Sequence, residues 1–484
     1  DRLSKKAWNS KVYRLVTVII FSVLFLLPIS KILIIKEPTP FFINQYTKES
    51  PNLPNIVLIT GDGVNADHLS VYGYERNTSP RLLELSEYSL IAENAFSNSG
   101  NTAGSITSML TSKYTTQTRM VFPPNILRDN DSFEHLPGIL KALGYKTIQI
   151  GFPYYVDADV INFLDGFDIV NGRGSAKSTI LPWLVRYDNS DDEYFIRTVI
   201  DRIISRVRYF FFLDESVIPF ELIHKPVDPN WDSHQISELL SYIDRYQPKQ
   251  PLFVHVHLLG THGPRFNNKI RVFSDESSAS KNWDTDEYDD AIYNFDFQIG
   301  RIIDYLTQNG LSDNTIIIIG SDHGQQWEPR EKIPLLIHFP FGSFSGRIYQ
   351  NVQNLDIAPT ILDYLQVQIP EWMQGESLLK PIQPDRPVLS AGLATLEVLP
   401  DGSITPPEME LTPPFYQFGI MTVVYCDKWY QLDLKSSIML SGNIKNSTLA
   451  CPDIKKAELS VDEVYSLMIE NLQKNGCDTS SIKE

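Results

Sequence analysis

The chain has 484 residues, enough for one large α/β domain and a smaller companion. With 42% hydrophobic and 21% charged residues it has the make-up of a folded protein, which excludes wholesale disorder. Its formal net charge of -17 excludes a general nucleic-acid binder, which needs a basic face to displace counterions.

The first element is Leu15 to Ile35, almost wholly apolar and interrupted by Thr17, Ser22, Pro28, Ser30 and Lys31. As a helix rising about 1.5 Å per residue it spans roughly 30 Å, one hydrocarbon core. Arg2, Lys5, Lys6, Lys11 and Arg14 precede it against one acid, Asp1. The positive-inside rule therefore predicts a cytoplasmic segment at 1–14, a transmembrane helix at 15–35 and an extracytoplasmic remainder. A cleaved signal peptide is the competing reading. No small-residue cleavage site follows the run, so a single-pass anchor in the plasma (inner) membrane is preferred. The chain opens on Asp1 and not on methionine, so further membrane helices can precede it. Residues 36–54, with Pro38, Pro40, Pro51 and Pro54, read as a linker lifting the next domain off the bilayer.

From Asn55 the pattern alternates. Asn55-Ile56-Val57-Leu58-Ile59 is a buried strand that ends in Thr60-Gly61-Asp62-Gly63. A lone Asp between glycines is more often a turn residue than a ligand. Arg81 to Tyr88 and Leu136 to Leu143 read as helices, Thr147 to Gly151 and Leu252 to Leu258 as strands. His255 and His257 alternate on the second of these strands and share one face, which is expected to be core. Tyr293 to Gln308 reads as a helix stopped by Asn309-Gly310. Thr315 and the four isoleucines Ile316 to Ile319 then form a fully buried strand, followed by Gly320-Ser321-Asp322-His323-Gly324. Taken alone, that turn reads equally as a polar loop and as half of a metal site. Two strands each delivering an acid to one sheet edge, where ligands bind in open α/β sheets, favour the metal. The alternation predicts an α/β fold, a mainly parallel sheet sandwiched by helices.

Within this pattern Ser175 to Asp232 stands out, carrying the basic-aromatic stretch Arg197 to Phe212. An ordinary surface helix is preferred there over an insertion that leans on the membrane or caps the site. Pro381 to Pro414 marks the passage to a smaller C-terminal subdomain, with Ile420 to Tyr425 and Trp429 to Leu434 as an antiparallel pair and Val461 to Lys474 as a last helix. The expected division is a catalytic domain at 55–385 and the subdomain at 386–484. Cys426, Cys451 and Cys477 contain no C-x-x-C pair. In an extracytoplasmic domain two of them can form a disulfide, Cys426–Cys451 being the preferred pairing.

Ser99 to Ser112 is rich in small and hydroxylic residues and leads from a loop into a helix N-terminus, where N–H groups favour anions. Capped helix starts usually look like this, so the run says little alone. The order of motifs says more. Asp62 after its strand, Leu110-Thr111-Ser112-Lys113-Tyr114, Gly260-Thr261-His262-Gly263-Pro264, Ser321-Asp322-His323-Gly324, Asn354-Leu355-Asp356-Ile357-Ala358-Pro359-Thr360 and Gln374-Gly375-Glu376-Ser377-Leu378 follow one another. This order resembles the sulfatase and phosphotransferase branch of the alkaline phosphatase superfamily, over roughly Asn55 to Leu379. The departures choose within it. Most sulfatases carry Cys-x-Pro-x-Arg, and here Thr102, Gly104 and Ile106 hold those places; the second Asp of the sulfatase pair is Gly63. Thr102-Ala103-x-Ser105 instead resembles the nucleophile region of lipid A phosphoethanolamine transferases, and lipoteichoic acid synthases likewise use a threonine.

The resemblance implies an alkaline-phosphatase-like fold and a set of roles. Thr102 is the nucleophile, and His262 binds the phosphoryl group or protonates the leaving alkoxide. Asp62, Thr102, Asp322 and His323 hold one divalent metal ion, zinc or manganese before magnesium or calcium. A second metal would need a further His near the C-terminus, and none follows His338. Lys332 lies where this branch often places a substrate-contacting base, though a surface lysine fits nearly as well, and Asn101 and Trp327 flank the site in sequence. The expected activity is a membrane-anchored transferase moving phosphoethanolamine or phosphoglycerol from a phospholipid donor to a glycan or lipid acceptor. A phosphodiesterase or atypical sulfatase is the second reading. A catalytically silent subunit of a membrane assembly is the third, because Gln325-Gln326-Trp327 is shorter than many relatives' substrate loop.

Overall fold

The computed structural model describes residues 53–122, 125–153, 155–174, 227–247, 249–275, 281–393, 397–398, 404–405, 418–447, 451, 458–477, 479–480 and 482. Residues 1–42 and 176–218 lie outside the described residues, and the sheets belong to the unit 43–175 with 219–484. Leu15 to Ile35 and Arg197 to Phe212, the expected span and the basic-aromatic stretch, therefore lie outside the described residues. Among the described residues no helix is long and apolar enough to cross a membrane.

The strands form where β-branched and aliphatic runs predict them. β1 (Asn55–Gly61), β2 (Leu90–Phe96), β3 (Lys146–Ile150), β4 (Ile169–Val170), β5 (Arg173–Gly174), β6 (Leu252–Leu258), β7 (Thr315–Ser321), β8 (Leu335–His338) and β9 (Gly346–Gln353) share one sheet in the order β5-β4-β3-β6-β1-β7-β8-β2-β9. β4, β3, β6, β1 and β7 run parallel in a block, and β2 runs parallel to β9. β5 and β8 run antiparallel to their neighbours. Every residue of β1, β6 and β7 is buried, the mark of a parallel sheet covered on both faces.

Alternation sorts those strands into two faces. Val57, Ile59, Ile148, Ile150, Val254, Val256, Ile317 and Ile319 join a single core with α4 (Trp231–Tyr246) and α5 (Thr285–Gln308), introduced here after α1 (Pro80–Ser86), α2 (Thr102–Thr111) and α3 (Leu136–Ala142). Each such side chain contributes about 1.5–3 kcal/mol by leaving water. The opposite face carries Leu58, Thr60, Gln149, His255 and His257. The register sets Leu58 beside His255, Thr60 beside His257 and Gln149 beside His255.

α5 starts eight residues before the expected Tyr293. Its first turns are acidic on one side while Tyr288, Ala291 and Ile292 carry the apolar stripe into the core, and the acids are anchored by geometry. Asp284 caps the helix by accepting from the amides of Asp286 and Glu287. Asp289 pairs with His68 and Arg76, Glu287 with Arg271, and Asp290 accepts from the amides of Val272, Phe273 and Ser274. Glu287 and Asp290 pin the loop that follows β6, so the acids of these turns are buried by pairing while the apolar stripe beside them enters the core.

α6 (Ile357–Tyr364) packs against α2. Beyond it, β10 (Val388–Gly392), β13 (Ile420–Tyr425), β14 (Lys428–Asp433) and β15 (Met439–Asn443) make an antiparallel sheet in that order, with β11 (Glu397–Val398) and β12 (Ile404–Thr405) paired apart. Met421, Val423 and Leu432 of this small sheet bury against Val464, Met468 and Leu472 of α7 (Val461–Lys474). Cys426 and Cys451 are disulfide-bonded and Cys477 is a free, half-buried thiol.

Candidate active site

β1, β6 and β7 are parallel neighbours, so their carboxyl ends open on one edge, and the loops there carry the chemistry. Asp62 follows β1, and Asp322 and His323 follow β7. One ligand atom from each of these three lies within 4.8 Å of the others, and all three are buried. The turns are locked from behind. The Ser321 hydroxyl shares its one proton between the carbonyls of Gly61 and His323 and accepts from the Val64 amide. Asp322 Oδ1 accepts from the amides of Gly63 at 3.0 Å and His323 at 2.8 Å, which aims Oδ2 at the cluster. Gly63 stands at φ +67, a left-handed conformation that favours glycine.

The electrostatics are those of a site that favours a cation. Buried and without a hydrogen-bond partner are Asp62 Oδ1, Asp322 Oδ2 and His257 Nε2. Burial pushes the Asp62 carboxyl up, but His262, His257 and His323 outweigh it and hold the group well below the usual carboxylate range. His323 Nδ1 lies 2.9 Å from the Gly324 carbonyl, which only accepts, so Nδ1 carries the proton and Nε2 presents its lone pair. That Nε2 sits 3.3 Å from Asp322 Oδ2 and 3.7 Å from Asp62 Oδ1. Two orphaned carboxylate oxygens beside an imidazole lone pair are a donor set that fits a divalent cation.

Thr102 is the first residue of α2, with Asn101 as the N-cap, and its Oγ1 lies 3.4 Å from His323 Nε2. The neighbouring hydroxyl of Ser105 is employed otherwise. It donates to the Asp322 carbonyl and accepts from Asn354 Nδ2, bracing the β7 turn. Gly100 permits this approach: a Cβ there would meet the Trp327 carbonyl at 2.3 Å. Trp327, at φ +63, packs edge-on against His262 with ring centroids 6.1 Å apart, and against Trp283 at 5.6 Å. His262 follows β6, where the Thr261 hydroxyl donates to the Asp62 carbonyl at 2.7 Å. The structure thus draws Asp62, Thr102, His262, Asp322 and His323 to one edge.

Two expectations change. His257 does not sit in an apolar core: Nε2 lies 3.6 Å from Asp62 Oδ2 and 4.0 Å from Asp322 Oδ2, so it belongs to the cluster. His255 stays behind it, bonded to Thr60 and Gln149. The sequence shows only that the two histidines share a strand face; the register of β1 and β6 sets Thr60 beside His257. Lys332 is buried with its ammonium on Asp67 at 3.0 Å and on the Asn446 carbonyl at 2.8 Å, a tie between domain and subdomain. Asn101 turns its side-chain oxygen to the Leu393 amide.

Known proteins resemble this chain in sequence and in fold. The family model described as Sulfatase matches residues 54–367, most of the chain. An N-acetylglucosamine-6-O-sulfatase of Bacteroides thetaiotaomicron is 39% identical over 103 residues, 18% of either chain. The phosphoethanolamine transferase EptA of Helicobacter pylori is 24% identical over 308 residues, 60% of this chain and 44% of the transferase. The chain therefore spans less than half the length of both relatives. A solved Vibrio parahaemolyticus protein of the alkaline phosphatase superfamily superposes with a TM-score of 0.52 at 14% identity, covering 91% of this chain and 90% of that one. The match over residues 54–367 shows that the chain belongs to the sulfatase family, and its fold is that of the solved alkaline phosphatase superfamily protein.

Proposed function

We propose that this protein is a membrane-anchored, metal-dependent phosphotransferase that carries a phosphoethanolamine or phosphoglycerol group from a phospholipid to a glycan or lipid hydroxyl. The observation that carries the reading is Thr102: a hydroxyl, and no cysteine, opens α2 at 3.4 Å from His323 Nε2. The three cysteines, Cys426, Cys451 and Cys477, lie far along the chain, so the cysteine-derived nucleophile of most sulfatases has no counterpart here.

Asp62, Asp322, His323 and the Thr102 oxygen would hold one divalent ion, zinc or manganese by ligand type, which supplies a lower hydroxyl pKa and neutralises phosphoryl charge. Thr102 Oγ1, its proton lost to solvent before the step, attacks phosphorus in line as the alkoxide, and the bond to the diacylglycerol oxygen breaks. His262 gives that oxygen its proton, leaving a phosphodiester on Thr102. The acceptor hydroxyl then attacks phosphorus, His262 takes its proton, and the Thr102 oxygen leaves. The α2 N-terminus favours the developing negative charge throughout. The expected span at Leu15 to Ile35 would keep the site near its lipid donor and raise its effective concentration.

A hydrolase is the second reading, favoured by the sulfatase among the relatives; water would then take the acceptor's place. Intact-mass analysis of purified protein incubated with phosphatidylethanolamine or phosphatidylglycerol vesicles tests the proposal. The expected result is an added head-group phosphate mapped to Thr102, absent in Thr102→Ala and discharged by a sugar hydroxyl acceptor. A modification on Ser105 or Thr107 would overturn the nucleophile, and discharge by water alone would favour the hydrolase. A protein that binds no metal and takes no label is the silent subunit.

A further inference from the structure

We propose that Gln149, His255 and Thr60 form a buried relay that fixes His257 as a hydrogen-bond donor to the active site and withholds it from the metal. The proposal rests on reading Asp62, Asp322 and His323 as a metal site. Its chain of donors, however, follows from the fold alone.

The relay begins at a group whose role is fixed. The Ala158 amide can only donate, and it meets Gln149 Oε1 at 2.6 Å. The side-chain oxygen is thereby assigned, and Gln149 Nε2 faces His255 Nδ1 at 3.3 Å. An amide nitrogen has no lone pair to offer, so His255 Nδ1 accepts. Burial holds the His255 ring neutral, with its pKa pressed down to about 3. Its one proton is then on Nε2, which donates to Thr60 Oγ1 at 3.1 Å. Thr60 has a single proton of its own, and the remaining neighbour is His257 Nδ1 at 2.8 Å. In its neutral form His257 accordingly accepts at Nδ1 and carries its proton on Nε2, the atom that faces Asp62 and Asp322.

All four side chains are fully buried, so no bulk water can turn the direction of the relay. Reversing it would set an His255 N–H against the Gln149 NH2, two donors without an acceptor between them. The two cluster histidines are therefore wired oppositely. His323 gives its Nδ1 proton to the Gly324 carbonyl and shows the cluster a lone pair. His257 shows it an N–H. A lone pair ligates; an N–H instead binds an oxygen of the transferred group or of Asp62. Gln149, His255 and Thr60 are positioning residues, acting only through His257.

The test is long-range 1H–15N NMR on the full chain labelled with 15N-histidine, at about pH 8, with and without zinc. Bare Nδ1 and protonated Nε2 are expected on both His255 and His257. A proton on Nδ1 of either ring overturns the relay. Gln149→Glu supplies a carboxylate that accepts from Ala158 and from His255 alike, reversing every donor. It should move the His257 proton to Nδ1 and raise zinc affinity about tenfold, while transfer falls. Thr60→Val cuts the relay and should leave His257 in mixed tautomers, whereas Thr60→Ser should restore a single one. Unchanged tautomers in both Gln149→Glu and Thr60→Val would also overturn it. Wild-type protein that shows the expected tautomers yet binds no zinc would leave the relay standing and remove the metal reading.

Discussion

At the scale of single residues the site is built from groups whose second contacts are already taken. Asp322 turns one oxygen to two amides and keeps the other bare, and His323 is oriented by one carbonyl. Asp322→Asn and His323→Ala should each lower bound metal at least tenfold by elemental analysis and abolish activity, with melting little changed. Full occupancy in both would remove the assignment. Ser105 is a different case. Its hydroxyl braces the Asp322 carbonyl and Asn354, so Ser105→Ala should cost about 1 kcal/mol of stability and part of the rate, without removing the intermediate on Thr102. Denaturant melts combined with intermediate mapping separate these effects, and a variant that forms no intermediate would give Ser105 the chemical role.

At the scale of elements, loops are held rigid from behind by buried polar groups. Glu331 illustrates the cost. It lies behind the β1 and β7 turns, where Oε2 accepts from Asn65 Nδ2 at 3.0 Å. Burial first, then Glu328 and Asp67, push its carboxyl up to about 7 against the weaker pull of Lys445 and His68. The folded value stands above the unfolded one, so the protein holds this proton more tightly when folded. The resulting stability is complete below the unfolded pKa and fades as pH rises through about 7. Glu331→Gln keeps the acceptor and cannot ionise. It should exceed the wild type by on the order of 2 kcal/mol at pH 8 and match it near pH 4, read from urea melts at both values. A gap independent of pH would show that the carboxyl is not shifted.

At the scale of the molecule, a large parallel sheet sets the site and a small antiparallel sheet closes the chain. The Cys426–Cys451 disulfide closes a loop of sequence separation 25 within the smaller core. Chain entropy assigns it about 3.5 kcal/mol, so reduction should lower the melting temperature while leaving metal binding at the distant sheet edge intact. Loss of metal on reduction would show that the two parts are coupled. The proposed anchor has its own test. With the excess of Lys and Arg before Leu15, protease should digest the C-terminal domain in right-side-out vesicles and spare it in inside-out ones. The opposite pattern would place the site in the cytoplasm.

The sequence by itself determined the strands that carry chemistry. Asn55 to Ile59 and Thr315 to Ile319 are legible because a strand buried on both faces must be apolar throughout, and Asp62, Asp322 and His323 stand out just past such runs. Thr102 at a helix start was legible too, through local turn chemistry and motif order. Only the tertiary structure decided the rest. α5 begins at Thr285, capped by Asp284, with its first acids neutralised by Arg271, His68 and Arg76, which the fold brings from other segments. His257 joins the cluster because the register of three strands sets it beside Thr60, and Lys332 leaves it because Asp67 and Asn446 claim its charge. Hydrophobic periodicity is a property of neighbouring residues. The pairing of buried polar groups depends on what the fold brings opposite them.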